Sequence, residues 1–446
     1  MKKMLLSLSL LLTASMLYAQ GPAVTSWLQN NTVTGTYYVS GSSTTLSNSI
    51  LVNCQKIEYS SDWVYVHTRG VPAYSTGPFL DGNPSLTSDQ NKIFKVSLKP
   101  VPNTATATKT PLGVTGVFIN GVAMFDCQDG KSWQTATNTW GNGMPGAPAW
   151  RRDAIVFERT GFDCAKGHPA MGQYHHHQNP SAFKLDKVVI STVCNLYAAD
   201  GLYSIDPTKH SPLIGYALDG YPVYGAYGYK NVDGTGGIVR MQTSYQYRSI
   251  TSRTTLPDGT TLTGPPINTT YPLGTCIEDY EYVAHAGSPE YLDAHNGRFC
   301  VTPEYPAGTY AYFATVDANY NSVYPYLIGP TYYGTTSLTT VTSVTEATST
   351  YAPTAVAPLA MQDKEVAIFP NPSSDLIAVQ VNDLVKEDLE IKLVDIRGAV
   401  VQTTHINKGA TVAYFDLQTV YSGAYVVSIS AGGNVLLTKQ VIVKKD

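Results

Sequence analysis

The chain has 446 residues, which is too many for one ordinary domain, so two or three domains are expected. Its net charge of −4 provides no basic footprint for nucleic acid, and no apolar run beyond the N-terminus is long enough to span a membrane. Only 14% of the residues are charged, while Tyr (32), Gly (37) and Pro (27) are abundant. This composition favours a mainly β fold over a helical one.

The N-terminus has the pattern of a secretory signal peptide. Lys2 and Lys3 precede an apolar stretch, and Ala19 offers a small residue before a cut ahead of Gln20. Residues 1–19 are therefore predicted to be a signal peptide that delivers the chain to an oxidising compartment.

The cysteines are even in number and form no Cys-x-x-Cys pair, which favours disulfides over a thiolate metal site. Spacing alone leaves 15 full pairings open. The closest pair in sequence, Cys276 and Cys300, is the first predicted disulfide, and Cys127 with Cys164 is the second.

Residues 20–334 alternate short strand-like runs with turn clusters, which predicts a β-rich domain. The clearest helix candidate in this region is Ala149–Glu158, because its apolar residues follow a helical face. Residues 335–360 are rich in Thr, Ser, Ala and Pro and are predicted to be a linker. The first half of that linker, Leu338–Val344, has an alternative interpretation as an edge strand of the first domain.

Four of the nine histidines lie within ten residues, in the run from His168 to His177. If the stretch after Tyr174 is extended, His175 and His177 project to one face of a strand and His176 to the other. His168 lies in a turn-like Gly-His-Pro and can fold back onto the first face. Three imidazoles suit a metal ion that keeps one open position, and neutral imidazole binds both Zn²⁺ and Cu²⁺. The alternative is a hydrogen-bonded polar corner without a metal.

Four charged residues occur inside segments that otherwise consist of aromatic, Gly and Pro residues. Such charges are usually paired or functional. Asp219 and Glu304 are candidates for orienting an imidazole or acting as a general base. The structural alternative is an ion pair in which Arg298 bridges a nearby carboxylate, with Asp293 as the proposed partner.

From Gln362 onward, short β-like runs recur at even spacing, with no cysteine and with His405 as the one histidine. Fewer than 90 residues in this pattern predict a small β-sandwich over 361–446.

This C-terminal segment resembles the sorting domain of the type IX secretion system. The resemblance rests on Ile368-Phe369-Pro370-Asn371-Pro372-Ser373, Ile391 to Gly398, Ser422-Gly423-Ala424-Tyr425-Val426-Val427 and the basic Lys444-Lys445 end. It implies that the type IX machinery is a partner, that the protein is secreted or displayed at the cell surface, and that the domain is removed after export.

The preceding region, about 50–333, resembles the YHYH domain family. The family motif matches Tyr174-His175-His176-His177, with Gly167-His168-Pro169 upstream and further matching segments at Asn120 to Phe125, Ser211 to Gly225 and Leu292 to Phe313. One residue departs from the motif, because His176 stands where the family has its second Tyr. The resemblance implies a fold family and leaves the activity open.

Two classes of function remain. A metal ion held by His168, His175 and His177 could activate water to cleave an extracellular ester or amide bond. Alternatively, the domain is a non-catalytic binding or structural module, for example for glycans or a surface polymer. An open coordination position beside the histidines favours the enzyme, whereas a fourth protein ligand favours the non-catalytic module.

Overall fold

The computed structural model describes residues 20–80, 86–144, 146–181, 194, 196, 197, 201–336, 340–352, 366–382, 385, 388–395, 399–431 and 434–445. The predicted signal peptide, 1–19, lies outside these residues. The chain divides into two compact units, one that ends at Tyr351 and one that starts at Ala352. No helix among the described residues is long and apolar enough to cross a membrane.

The first unit is almost entirely β, as the composition predicted. Its strands in chain order are β1 Thr34–Tyr38, β2 Thr45–Leu51, β3 Cys54–Tyr59, β4 Trp63–Thr68, β5 Lys92–Ser97, β6 Val114–Phe118, β7 Ala123–Phe125, β8 Gln128–Gln134, β9 Thr139–Asn142, β10 Arg151–Asp153, β11 His168–Ala170, β12 Gln173–His176, β13 Leu213–Ala217, β14 Pro222–Tyr224, β15 Tyr227–Tyr229, β16 Ile238–Arg240, β17 Tyr245–Tyr247, β18 Tyr280–Tyr282, β19 Gly297–Cys300, β20 Thr309–Phe313, β21 Thr340–Val341 and β22 Ser349–Tyr351.

An eight-stranded mixed sheet forms the centre of this unit, in the order β11-β12-β7-β6-β13-β14-β20-β19. The β12–β7 and β14–β20 pairs are parallel and the other pairs are antiparallel. A five-stranded antiparallel sheet, β21-β5-β4-β3-β22, packs against one of its faces. Smaller sheets, β1-β2, β10-β8-β9, β15-β16 and β17-β18, surround this pair.

The central sheet is buried on both faces. Successive side chains along a strand point to opposite sides, so neighbouring residues join different apolar clusters. Val117 and Phe313 join the apolar cluster shared with the five-stranded sheet. Their neighbours Phe118 and Tyr312 join a second cluster on the other face. Strands buried on both sides carry continuous apolar runs, as β13 does with five fully buried residues.

Strands β21 and β22 lie within the segment predicted to be a linker. β21 pairs with β5 and β22 pairs with β3, so they form the two edges of the five-stranded sheet. The alternative interpretation of Leu338–Val344 as an edge strand is therefore confirmed for Thr340–Val341. Residues 337–339 and 353–360 of the predicted linker lie outside the described residues.

Helices are few and short. α1 spans Pro22–Thr25 and α2 spans Ala154–Glu158, with 3₁₀ turns at Arg159–Gly161 and Ile277–Asp279. The predicted helix 149–158 is thus half as long as expected, because Arg151–Asp153 pairs with β8 as a strand. The Asp153 carboxylate then accepts hydrogen bonds from the backbone N–H groups of Ile155 and Val156, which starts the helix at Ala154.

The described residues of the second unit form seven strands in two sheets. They are β23 Val366–Phe369, β24 Leu376–Val381, β25 Leu389–Asp395, β26 Val400–Ile406, β27 Val412–Asp416, β28 Gly423–Ala431 and β29 Asn434–Val443. The sheet β23-β24-β27 and the sheet β26-β25-β28-β29 share one apolar core that includes Ile377, Phe415, Ile391 and Val427. This confirms the predicted small β-sandwich.

The presence of a disulfide is confirmed, but the two predicted pairings, Cys276 with Cys300 and Cys127 with Cys164, are wrong. The structure joins Cys164 to Cys194, whereas Cys127, Cys276 and Cys300 are free, buried thiols. Sequence spacing chose the nearest pair, but Cys276 borders Arg152 of β10, whereas Cys300 ends β19 in the central sheet. The tertiary fold, and not sequence separation, decides which sulfur atoms meet.

Candidate metal centre

A tight hairpin at the edge of the central sheet carries the histidines. β11 and β12 pair antiparallel through the two-residue turn Met171-Gly172, and His168 lies directly opposite His175. Both turn residues have positive φ, 51° and 85°, as a type I′ turn requires. The turn therefore folds His168 back onto the face of His175.

Gly167 allows the hairpin to close. A Cβ atom at this position would lie 2.3 Å from the Tyr174 hydroxyl oxygen and 2.8 Å from the His176 ring. No side chain fits at that distance, so only glycine permits the backbone to pass so close to β12.

The Nε2 atoms of His168, His175 and His177 converge. The Nε2 atom of His177 lies 3.1 Å from that of His175 and 3.5 Å from that of His168. One ring nitrogen of each residue lies within 4.8 Å of the others. Three imidazole nitrogens in this arrangement can bind one transition-metal ion.

Two of the rings are oriented by backbone carbonyls. Nδ1 of His175 donates to the carbonyl oxygen of Gln173 at 2.9 Å, and Nδ1 of His177 donates to the carbonyl oxygen of Asp126 at 2.5 Å. A proton on Nδ1 leaves the lone pair on Nε2, which is the tautomer that a metal ligand needs. Nδ1 of His168 has no partner among the described residues, so its tautomer is not fixed in this way.

The three histidines are buried and bordered by aromatic rings. Their exposed fractions are 6% or less. The ring of Phe125 stacks on that of His175 with a centroid separation of 3.7 Å, and the rings of Phe162 and His168 meet edge to face with a centroid separation of 4.8 Å. Burial, together with the neighbouring imidazoles, lowers the pKa of His175 well below its usual value. The site therefore holds a neutral imidazole ready to bind a cation.

Glu158, the last residue of α2, also reaches the cluster. Its Oε2 atom lies 3.1 Å from Nε2 of His177 and 3.4 Å from Nε2 of His168. Burial alone would raise the pKa of this carboxyl, but the two imidazoles lower it to about 2. Burial alone would likewise lower the pKa of His177, but Glu158 and Asp126 raise it. Sequence reasoning missed Glu158, although it ends the predicted helix only ten residues before His168.

His176 points to the opposite face, as strand alternation predicted. Its Nε2 atom lies 2.6 Å from the Tyr74 hydroxyl, and its ring packs edge-on against Phe118 and Tyr174. Burial lowers the pKa of His176 to about 3, so the ring is neutral. Tyr174 in turn donates to the buried Asp163 carboxylate at 2.8 Å. His176 therefore belongs to the core and not to the cluster.

The structure places the two candidate catalytic carboxylates elsewhere. Asp219 accepts hydrogen bonds from the Tyr312 hydroxyl at 2.6 Å and from the backbone N–H of Gly334 at 2.8 Å. Glu304 accepts from the Tyr224 hydroxyl at 2.8 Å. Neither carboxylate bonds to a cluster histidine, so the general-base role predicted for them is not supported by contacts.

The predicted ion pair between Asp293 and Arg298 does not form. Arg298 donates to the backbone carbonyls of Tyr229, Lys230 and Pro289. Asp293 instead accepts from the Tyr310 hydroxyl, at 2.8 Å. Both residues therefore have structural contacts, but Arg298 makes them with backbone carbonyls and Asp293 makes its contact with a tyrosine hydroxyl.

Residues 93–324 match the family model described as YHYH protein, and this range includes every residue of the cluster. The chain belongs to the YHYH protein family. Residues 367–444, which make up most of the second unit, match the secretion system C-terminal sorting domain. This domain directs secretion through the type IX system to the cell surface or the extracellular space. No curated protein matches the chain.

Proposed function

We propose that the secreted YHYH domain binds a single Zn²⁺ or Cu²⁺ ion through the Nε2 atoms of His168, His175 and His177. The observation that carries the proposal is the pair of carbonyl acceptors on Nδ1 of His175 and His177. These acceptors direct two Nε2 lone pairs toward each other at 3.1 Å. Lone pairs at that distance repel unless a cation or a proton lies between them, and metal-binding histidines commonly have such second partners.

The donor set suits these two ions. Imidazole binds both Zn²⁺ and Cu²⁺, whereas thiolate and thioether donors would favour Cu⁺. Cys127 directly follows Asp126, whose carbonyl oxygen orients His177. Its side chain, however, packs with Tyr324 and Tyr326 in a separate apolar cluster. The proposed centre therefore has imidazole nitrogen donors and no sulfur donor among the described residues.

A metal-dependent hydrolase would need more than bound metal. It requires an open coordination position for water and room beside it for a substrate. Two cavities, of about 250 and 280 Å³, occur among the described residues of the first unit, and neither is lined by a cluster histidine. The proposed function is therefore limited to metal binding, and no hydrolytic step is assigned to the domain.

The test measures metal content and affinity of the full chain purified without a histidine tag. Elemental analysis should find about one Zn or Cu per chain. Calorimetry should show that His175→Ala and His177→Ala each lower affinity about 100-fold or more, because each ligand contributes on the order of 3 kcal/mol to a total of about 10–16 kcal/mol. His168→Ala should weaken binding by a similar factor.

Two controls keep this test specific. His285→Ala removes an exposed imidazole that stacks on Tyr291 far from the hairpin in sequence, and it should bind metal as the wild type does. His176→Ala should retain affinity, because its ring lies on the opposite face. If the wild type takes up neither ion, the proposal is wrong; if His176→Ala abolishes binding in a folded protein while His175→Ala does not, the assigned ligand set is wrong.

A further inference from the structure

The geometry points to Glu158 as a fourth metal ligand that closes the coordination sphere of this centre. This inference rests on the proposed metal binding and adds a residue and a consequence to it. A closed sphere of three imidazoles and one carboxylate retains an ion, whereas hydrolysis would require a position open to water.

The distances among the donor atoms fit a shared ion. With metal–ligand bonds of about 2.0–2.2 Å, two donors of a tetrahedral site lie roughly 3.3–3.5 Å apart. The two measured nitrogen–nitrogen separations are 3.1 and 3.5 Å. The two measured separations from Glu158 Oε2 to Nε2 of His177 and His168 are 3.1 and 3.4 Å. The Glu158 oxygen is thus about as close to the Nε2 atoms of His177 and His168 as those two nitrogens are to each other.

A base that acts through water would lie elsewhere. A carboxylate that hydrogen-bonds to a metal-bound water adds a further contact of about 2.7 Å beyond the water oxygen, which would place it well outside the shell of nitrogen donors. Glu158 Oε2 lies only 3.1 and 3.4 Å from Nε2 of His177 and His168, without the extra distance that an intervening water would require. It therefore occupies the position of a ligand rather than that of a general base.

A plain ion pair with a histidine explains the contact less well. Glu158 Oε2 is buried, yet it forms no hydrogen bond with any residue that the structure describes. Nε2 of His177 lies 3.1 Å from this oxygen, which is close enough for a hydrogen bond, but the two groups are not aligned for one. A buried carboxylate oxygen without a hydrogen bond is costly, and coordination to a cation satisfies it.

The fold holds Glu158 in place before any ion arrives. Helix α2 is capped by the fully buried Asp153, which also accepts from the Tyr326 hydroxyl at 2.5 Å. The Arg152 guanidinium, which pairs with Asp129, lies over the ring of Phe157 at 4.1 Å. The residues at the start of α2 are therefore fixed, and the side chain of Glu158 is only 25% exposed.

Co²⁺ substitution tests the inference because the visible spectrum of Co²⁺ reports coordination number. The full chain loaded with Co²⁺ should show the intense bands of a four-coordinate ion. Glu158→Gln should lower their intensity several-fold, because two or more waters replace the single carboxylate and the coordination number rises above four. Glu281→Gln makes the same change at a carboxylate whose contact is Gln246, and it should leave the spectrum unchanged.

Azide provides a test without any substitution. Added azide should leave the wild-type Co²⁺ spectrum unchanged, since a closed sphere has no position for it, and should alter the spectrum of Glu158→Gln. If azide shifts the wild-type bands, or if folded Glu158→Gln gives the wild-type spectrum, Glu158 is not a ligand although the three-histidine site stands. If wild-type protein binds no Co²⁺ and no Zn²⁺, the proposed function itself has failed.

Discussion

Removal of the Cys164–Cys194 disulfide should destabilise the first unit by a predictable amount. The two residues are 30 positions apart, and both sulfurs are buried beside Tyr38, Phe162 and Tyr197. In the chain-entropy model, closing a loop of this length lowers the conformational entropy of the unfolded chain, which stabilises the folded state by about 3.7 kcal/mol. The double variant Cys164→Ser/Cys194→Ser should therefore lose roughly that much unfolding free energy, and loss of apolar packing adds to it.

Urea unfolding followed by tryptophan fluorescence measures this loss in the full chain. All five tryptophans lie between residues 27 and 150, so the signal reports the first unit alone. The wild type in reductant should approach the variant, because both chains then lack the cross-link. Unreduced, denatured wild type should expose four free thiols. A difference below about 1 kcal/mol, or six free thiols, would refute the reasoning.

Three further outcomes are expected. Metal affinity should fall steeply below about pH 6, because protons compete for imidazoles that must be neutral to bind; calorimetry at several pH values checks this. Mass spectrometry of protein secreted by its native host should show loss of the region after about residue 360, since cleavage concentrates in segments between compact units; a secreted full-length chain would contradict this. Tyr312→Phe should destabilise the first unit by about 1–3 kcal/mol near pH 7 and by less near pH 4.5. Burial raises the pKa of Asp219 to about 6 and the Tyr312 hydroxyl lowers it, so the variant should bind a proton more readily and lose stability as pH rises through that range. Urea midpoints at the two pH values measure the difference, and an equal loss at both would contradict the assignment.

Local periodicity predicted the parts of the centre that lie on one strand. The alternation of His175, His176 and His177 follows from the pleat, and the return of His168 follows from a two-residue turn. Each of these features involves residues within ten positions of one another. The same reasoning located the strands of the C-terminal sandwich, where spacing is regular and each strand pairs with near neighbours.

Features that depend on distant pairing were not predictable in this way. Glu158 reaches the cluster because Arg151–Asp153 joins β8 and Asp153 caps a helix only five residues long. The pattern over 149–158 predicted one longer helix, which gave no reason to place its last residue beside His177. The Cys164–Cys194 disulfide and the strands β21 and β22 were missed or left open for the same reason, because their partners are set by the tertiary fold.

Three carboxylates singled out from the sequence, and two further buried aspartates, are satisfied in the same way. Tyr hydroxyls donate to Asp219, Asp293, Glu304, Asp153 and Asp163, from Tyr312, Tyr310, Tyr224, Tyr326 and Tyr174 respectively. A phenol satisfies a buried carboxylate and packs against the core with the same side chain, whereas an arginine or lysine would bury a second charge. Five of the 32 tyrosines thus satisfy a carboxylate in addition to packing within the fold. This contact also separates these carboxylates from Glu158, whose buried oxygen faces imidazoles and has no tyrosine donor among the described residues. This difference is the reason for proposing Glu158, and not the other carboxylates, as a metal ligand.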